Sequence, residues 1–75
     1  MRIEIHYCHE WNYESFAARL AEEVEKEFKD AEIQIIPEYG GEGNLDIYAN
    51  NLVVFSSEKE GRYPEEGEIV KILKG

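Results

Sequence analysis

The spacing of apolar residues changes twice within the first 36 positions, and this change constrains the fold more than any other feature of the sequence. Apolar and polar residues alternate over 2–7, which is the pattern of a β-strand with one buried face. The next apolar residues recur every three or four positions, as on one side of an amphipathic helix: Tyr13, Phe16, Ala17, Leu20, Ala21, Val24 and Phe28. A second strand is predicted over 33–36 and ends before Pro37. This order of strand, helix and strand predicts a right-handed connection between two parallel strands.

The second half of the chain predicts a hairpin and a closing helix. Apolar and polar residues alternate over 45–49, and an apolar run at 52–55 would form the second strand of the hairpin. Asn50 and Asn51 stand between these strands, and asparagine tolerates the positive φ angles that a tight hairpin turn requires. Pro64 is typical of the first residue of a helix, which here closes the chain. The predicted element order is therefore β-α-β-β-β-α.

Chain length and strand pattern together predict a two-layer α/β fold. Seventy-five residues are enough for one small domain, which we place over 1–75. Because several strands alternate apolar with polar residues, we expect both helices to cover one face of the sheet and leave the other open. The uncovered face would carry His6, Ile36 and Tyr48. We expect this face to be either solvated or a surface for a partner or for a homodimer.

Charge and cysteine content narrow the classes of function. The chain has 17 Asp and Glu against 8 Lys and Arg, which gives a net charge of −9. Such a surface repels phosphate backbones and anionic lipid headgroups, so we expect neither nucleic-acid binding nor membrane binding. No apolar run approaches the roughly 18 residues that span a bilayer, and the first residues are unlike a signal peptide. A single cysteine cannot form an internal disulfide, which is typical of proteins of the reducing cytoplasm.

The residues with reactive chemistry lie between the first predicted strand and the first predicted helix. Cys8 is predicted just after the strand and just before the helix, whose N-terminal amides and dipole favour a thiolate. A protonated His9 would assist, whereas the carboxylates of Glu10 and Glu14 would oppose it. Cys8 is therefore a candidate nucleophile, and the alternative is an unreactive, half-buried thiol.

Metal binding through His6, Cys8, His9 and Glu10 is a weaker hypothesis. The four side chains are close in sequence and include ligands that zinc accepts. Their spacing matches no established zinc pattern, and the last two would have to curl back from a loop. We therefore predict no metal site.

Three segments, taken in order, resemble the selenoprotein W, selenoprotein T and selenoprotein H group, which is also called the Rdx family. They are the strand that runs into Tyr7-Cys8 with Asn12-Tyr13 after it, the hairpin from Gly43 to Ser56, and Gly61-Arg62-Tyr63-Pro64-Glu65-Glu66-Gly67-Glu68-Ile69, which is similar to the family's GRFPEPGEI-type start of the last helix. Together they cover nearly the whole chain. The resemblance implies a thioredoxin-like fold whose four-stranded mixed sheet has the order 2-1-3-4.

The resemblance also implies redox chemistry, with one departure from the family pattern. The family carries a Cys-x-x-Cys or Cys-x-x-selenocysteine pair; Cys8 matches its first position, but Trp11 stands at the second. A disulfide within the chain is therefore impossible. We predict a redox-related thiol protein in which Cys8 forms a mixed disulfide with glutathione or with a partner protein. His9, Trp11 and Asn12 would shape the site, and no cofactor besides glutathione is expected.

A catalytically silent interaction module is the alternative function. In that interpretation the chain keeps the fold but has lost the exchange chemistry with the second cysteine. Trp11 and Tyr13, next to Cys8 in sequence, would then form an aromatic patch of the kind that anchors protein interfaces. Tyr13 also fits the apolar side of the first helix, where it would pack in the core.

Overall fold

A four-stranded sheet organises the chain. A computed structural model describes residues 1–9, 14–39 and 43–75. Within these ranges the strands are β1 (Arg2–Cys8), β2 (Glu32–Glu38), β3 (Leu45–Ala49) and β4 (Leu52–Ser56), and the helices are α1 (Glu14–Glu27), α2 (Ser57–Glu60) and α3 (Glu68–Lys74). The sheet has the order β2-β1-β3-β4; β1 is parallel to β2 and antiparallel to β3, and β4 is antiparallel to β3. The predicted strand order is confirmed.

One face of the sheet carries the hydrophobic core and both long helices. Helix α1 turns its apolar stripe onto the alternate residues of the central strands, as its three-to-four-residue spacing requires. The buried cluster consists of Ile3, Ile5, Tyr7, Ala17, Leu20, Val24, Leu45, Ile47, Phe55 and Ile69. Helix α3 lies beside α1, where Lys74 Nζ is 3.0 Å from Glu27 Oε2 and the Gly67 amide donates to Glu23 Oε2 at 3.2 Å. The prediction of a two-layer fold is confirmed.

The side chains between these core positions point to the opposite side of the sheet, because successive residues of a strand alternate. Six of them lie on neighbouring strands in register, and we call this set the open face: Glu4, His6, Ile36, Glu38, Asp46 and Tyr48. All are half-buried except Glu38, which is exposed. The open face therefore mixes apolar side chains with carboxylates.

The hairpin forms where the two asparagines predict it. Asn50 and Asn51 have φ angles of 50° and 71°, which match the turn type that follows the right-handed twist of a hairpin. The Asn50 side chain also accepts a hydrogen bond from the Arg2 amide at 2.9 Å, and the Asn50 amide donates to the Arg2 carbonyl at 2.8 Å. The turn is thus tied to the beginning of β1.

The second strand is longer than predicted. The sequence predicts that this strand ends at Ile36, before Pro37, but β2 continues through Pro37 to Glu38. The reason is the position of β2 at the edge of the sheet, where a missing amide removes no bond to a further strand. The prediction of a stop at this proline is therefore wrong.

The closing helix begins later than predicted. Pro64 was expected to be its first residue, but α3 begins at Glu68, after Gly67 with φ 78°. A positive φ breaks a right-handed helix, so residues 64–67 cannot be part of α3. Helix α2 is not predicted from the sequence; it is a single turn whose N-cap Ser56 accepts from the Lys59 amide at 3.5 Å. No helix in the described ranges combines the length and the apolar content that a bilayer crossing needs.

Candidate functional site

Cys8 is the last residue of β1, not the first residue after it as the sequence predicts. Its register partner on β2 is Glu38, so it lies at the end of the sheet where the parallel strands finish. Because Tyr7 points into the core, strand alternation directs Cys8 toward the side of the open face. Only 2% of Cys8 is exposed. A thiol must be reached by its disulfide partner before it can exchange, so this burial restricts its chemistry.

The head of the first helix is described only in part. Helix α1 begins at Glu14. Two of the predicted site-shaping residues, Trp11 and Asn12, lie outside the described residues, as do Glu10 and Tyr13. Their predicted roles stay predictions.

His9 follows Cys8 and is exposed. Its ring packs against Tyr39, with the two ring centroids 4.8 Å apart and the planes tilted by 43°. Tyr39 comes directly after β2 and is itself 71% exposed. The exposed His9 ring therefore lies next to the end of β2, one residue after the buried thiol in sequence.

Burial also affects the aromatic neighbour of Cys8. Tyr7 belongs to the core, and its burial raises the pKa of the phenol, with further contributions from the nearby Glu14 and Tyr39. Burial therefore favours the neutral phenol over the phenolate.

A polar cluster lies on the open face around His6. The imidazole Nε2 is 3.1 Å from Glu4 Oε1, and Nδ1 is 3.5 Å from Glu38 Oε2. The ring also makes an edge contact with Tyr48, with centroids 5.0 Å apart. A neutral imidazole has one N–H, so only the imidazolium donates to both carboxylates at once. Arg2 completes the cluster, with Nε 3.3 Å from Glu4 Oε2.

The sequence predicts His6 on the open face but does not predict its contacts with the two carboxylates. The pair with Glu4 has a local signal, because residues i and i+2 of a strand share a face. The pair with Glu38 has none, since it depends on the register of two strands separated by a helix. Among the described residues, no three His, Cys, Asp or Glu side chains converge to hold a metal ion.

A third region, residues 61–67, connects α2 to α3, and we call it the closing loop. Arg62 makes a two-pronged ion pair with Glu68, in which Nη1 and Nη2 are each 2.7 Å from a carboxylate oxygen. Glu68 Oε1 also accepts from the Glu65 amide at 2.9 Å. Because of these contacts, above all the one with Arg62, the pKa of Glu68 falls from 4.5 to about 2. The same pair raises the pKa of Arg62.

Tyr63 links the closing loop to the residues before β3. Its hydroxyl donates to the Gly43 carbonyl, and its ring lies 5.9 Å from that of Phe16 on α1. Nearby, the buried Ser57 accepts from the Leu45 amide at 2.8 Å through its hydroxyl oxygen. The segment that carries the Gly-Arg-Tyr-Pro pattern therefore connects α3 and the residues before β3 through side-chain contacts.

The sequence model of the Rdx family matches residues 2–75. Migration and invasion enhancer 1 of Bos taurus is 28% identical over 74 residues, which cover 99% of this chain and 63% of that protein. The Mus musculus protein of the same name matches with the same identity and coverage: 28%, 99% and 63%. The chain thus spans less than two thirds of the length of these relatives.

Solved structures show the same fold. A selenoprotein W-related protein from Vibrio cholerae superposes with a TM-score of 0.87 at 25% identity, covering 97% of this chain and 91% of that one. A protein from Bordetella parapertussis superposes with a TM-score of 0.88 at 28% identity, covering 97% and 92%. The fold is therefore the thioredoxin-like fold of selenoprotein W-related proteins, as the sequence resemblance implied.

Proposed function

Because this chain belongs to the Rdx family, we propose that it is a redox-related thiol protein that acts through Cys8. Family membership and the thioredoxin-like fold support a redox-related role in general. The observation that carries the finer proposal is the position of Cys8, the chain's only cysteine, at the end of β1 where that strand runs toward α1. The Rdx family carries a paired cysteine at this junction, and for this reason we assign the redox role to the Cys8 thiol.

The proposed reaction is exchange with a disulfide. The Cys8 thiolate attacks one sulfur of glutathione disulfide; a new bond joins Cys8 to one glutathione, and the other glutathione leaves as a thiolate that takes up a proton. Cys8 is oxidised and the departing glutathione is reduced. Because the chain has no second cysteine, the mixed disulfide is released by the thiol of another molecule, which is either a second glutathione or a partner protein.

Burial determines how this reaction proceeds. Cys8 is 2% exposed, so a disulfide reaches the sulfur only when the end of β1 opens locally. We therefore expect slow exchange, limited by that opening. His9 is exposed and follows Cys8 directly, so an incoming anionic glutathione would contact His9 before it reaches the buried sulfur.

A catalytically silent interaction module is the second proposal, and the same burial favours it. If the end of β1 does not open, Cys8 is only a small apolar side chain of the interior. Partner binding would then depend on Trp11, which replaces the second cysteine in sequence. A pull-down with Trp11→Ala and Cys8→Ser separates the two: loss of a partner only with Cys8→Ser supports redox exchange, and loss only with Trp11→Ala supports the module.

The deciding experiment is intact mass spectrometry after incubation with glutathione disulfide. We expect the folded protein to gain the mass of one glutathione and to lose it again when reduced glutathione is added. The Cys8→Ser variant should gain nothing. If the folded protein stays unmodified while the urea-unfolded protein is modified, the redox proposal fails and the module remains.

A further inference from the structure

We propose that the open face docks a segment of a partner protein that carries lysine or arginine side chains. Three of its six residues are carboxylates: Glu4 on β1, Glu38 on β2 and Asp46 on β3. Ile36 on β2 and Tyr48 on β3 lie half-buried among them, so part of each side chain is accessible. The aliphatic stems of basic side chains pack on such a surface while their charged ends reach the carboxylates around it.

The three carboxylates differ in how far they are already engaged. Glu4 lies between Arg2 and His6, and its side chain is only 18% exposed. Glu38 touches His6 at 3.5 Å but leaves 54% of its side chain exposed. Asp46 makes no ion pair with any described residue, although His6 is its register partner. Asp46 and Glu38 are therefore the groups that a cationic partner would contact.

Charge argues against a second copy of the chain as the occupant. A twofold dimer through this face would bring the three carboxylates of each chain into one interface, because an isologous interface pairs a patch with its own copy. Like charges facing each other across an interface oppose association, and each chain carries a net charge of −9. A basic segment meets the same carboxylates with the opposite sign. The inference does not depend on exchange at Cys8.

The test is an NMR titration of the ¹⁵N-labelled full chain with a short peptide of alternating lysine and valine. We expect the amide shifts of Asp46, Tyr48 and His6 to move most, and those of α1 to stay in place. A peptide of alternating glutamate and valine should move none of them.

Two matched variants distinguish binding at the open face from a general attraction of the basic peptide to an acidic chain. Asp46→Asn and Asp30→Asn each remove one negative charge, but Asp30 lies in the turn after α1. We expect Asp46→Asn to weaken peptide binding about threefold, the effect of one exposed ion pair, and Asp30→Asn to leave it unchanged. Equal effects of the two variants would overturn the proposal, as would shift changes spread over the helices. A dimer seen by sedimentation equilibrium and weakened by His6→Ala would also overturn it, in favour of a second copy.

Discussion

The closing loop and the Cys8 end of β1 both resemble the family in sequence, yet they differ in the contacts that fix their positions. The closing loop is tied by the paired contacts of Arg62 with Glu68 and by the bond from Tyr63 to Gly43. Cys8 is a small thiol buried at the end of a strand, next to an exposed His9. The family-like pattern from Gly61 to Ile69 therefore contributes contacts that stabilise the scaffold, whereas the candidate reactive group is a single buried sulfur atom.

The largest expected effect concerns the helix that the closing loop positions. Ile69 is 1% exposed in the first turn of α3, so Ile69→Ala should lower the free energy of unfolding by about 2–5 kcal/mol through loss of packing and formation of a cavity. Ile72 on the same helix is 39% exposed and is the matched control, with an expected loss below about 1 kcal/mol. Urea unfolding followed by circular dichroism measures both. Equal losses would show that α3 is not anchored through Ile69.

The next effect concerns the Cys8 end itself. Cys8→Ser introduces a hydroxyl into a position that is 2% exposed, and an unsatisfied buried hydroxyl costs about 1–3 kcal/mol. Cys8→Ala removes the sulfur without adding a polar group, so its expected cost is about 1 kcal/mol. The difference between the two variants, measured by urea unfolding, reports on the polarity of the site. A serine variant as stable as the alanine variant would mean that solvent reaches this position.

A smaller effect distinguishes the hydrogen bond of Tyr63 from its ring packing. Tyr63→Phe keeps the ring near Phe16 but removes the hydroxyl that donates to the Gly43 carbonyl, with an expected cost of about 1 kcal/mol. Tyr39→Phe is the control, because Tyr39 is 71% exposed and should tolerate the change. Thermal unfolding of the three proteins gives the comparison. Identical unfolding midpoints for Tyr63→Phe and the natural chain would contradict a stabilising role of the Tyr63 hydroxyl.

The smallest effect depends on pH. The pKa of Glu68 is about 2 in the folded chain against 4.5 for the free side chain. Between these two pH values the unfolded chain therefore binds more protons than the folded chain. Its contribution to stability is therefore complete above pH 4.5 and is lost as the pH falls toward 2. An NMR titration of the Glu68 carboxyl should show this low pKa in the natural chain and a rise toward 4.5 in Arg62→Gln. An unchanged pKa in that variant would contradict the role of Arg62.

Much of the fold could be predicted from the sequence because its signals are local. Alternation along β1, helical spacing along α1 and the two asparagines of the turn each depend on neighbouring residues. The late start of α3 could not be predicted in this way, since it depends on a positive φ at Gly67 and on the side-chain contacts of Glu68. The contact of His6 with Glu38 depends on strand register, which apolar spacing does not specify.

The site was predictable only in part, for a related reason. Cysteine count and family resemblance identify Cys8, but its 2% exposure is a property of the folded chain that the spacing of residues does not give. His9 was expected to assist the thiol, and the structure shows its ring against Tyr39, a contact made possible by the end of β2.

The most direct test of the account is the reaction rate of Cys8 with an aromatic disulfide reagent, in the folded chain and in urea. We predict that one thiol reacts completely in both, and about 100-fold more slowly in the folded chain, as expected for a local opening that costs roughly 3 kcal/mol. The circular dichroism spectrum should stay that of the folded protein throughout. A folded chain that never reacts would contradict the proposed exchange, and equal rates in the two states would contradict the burial of the thiol.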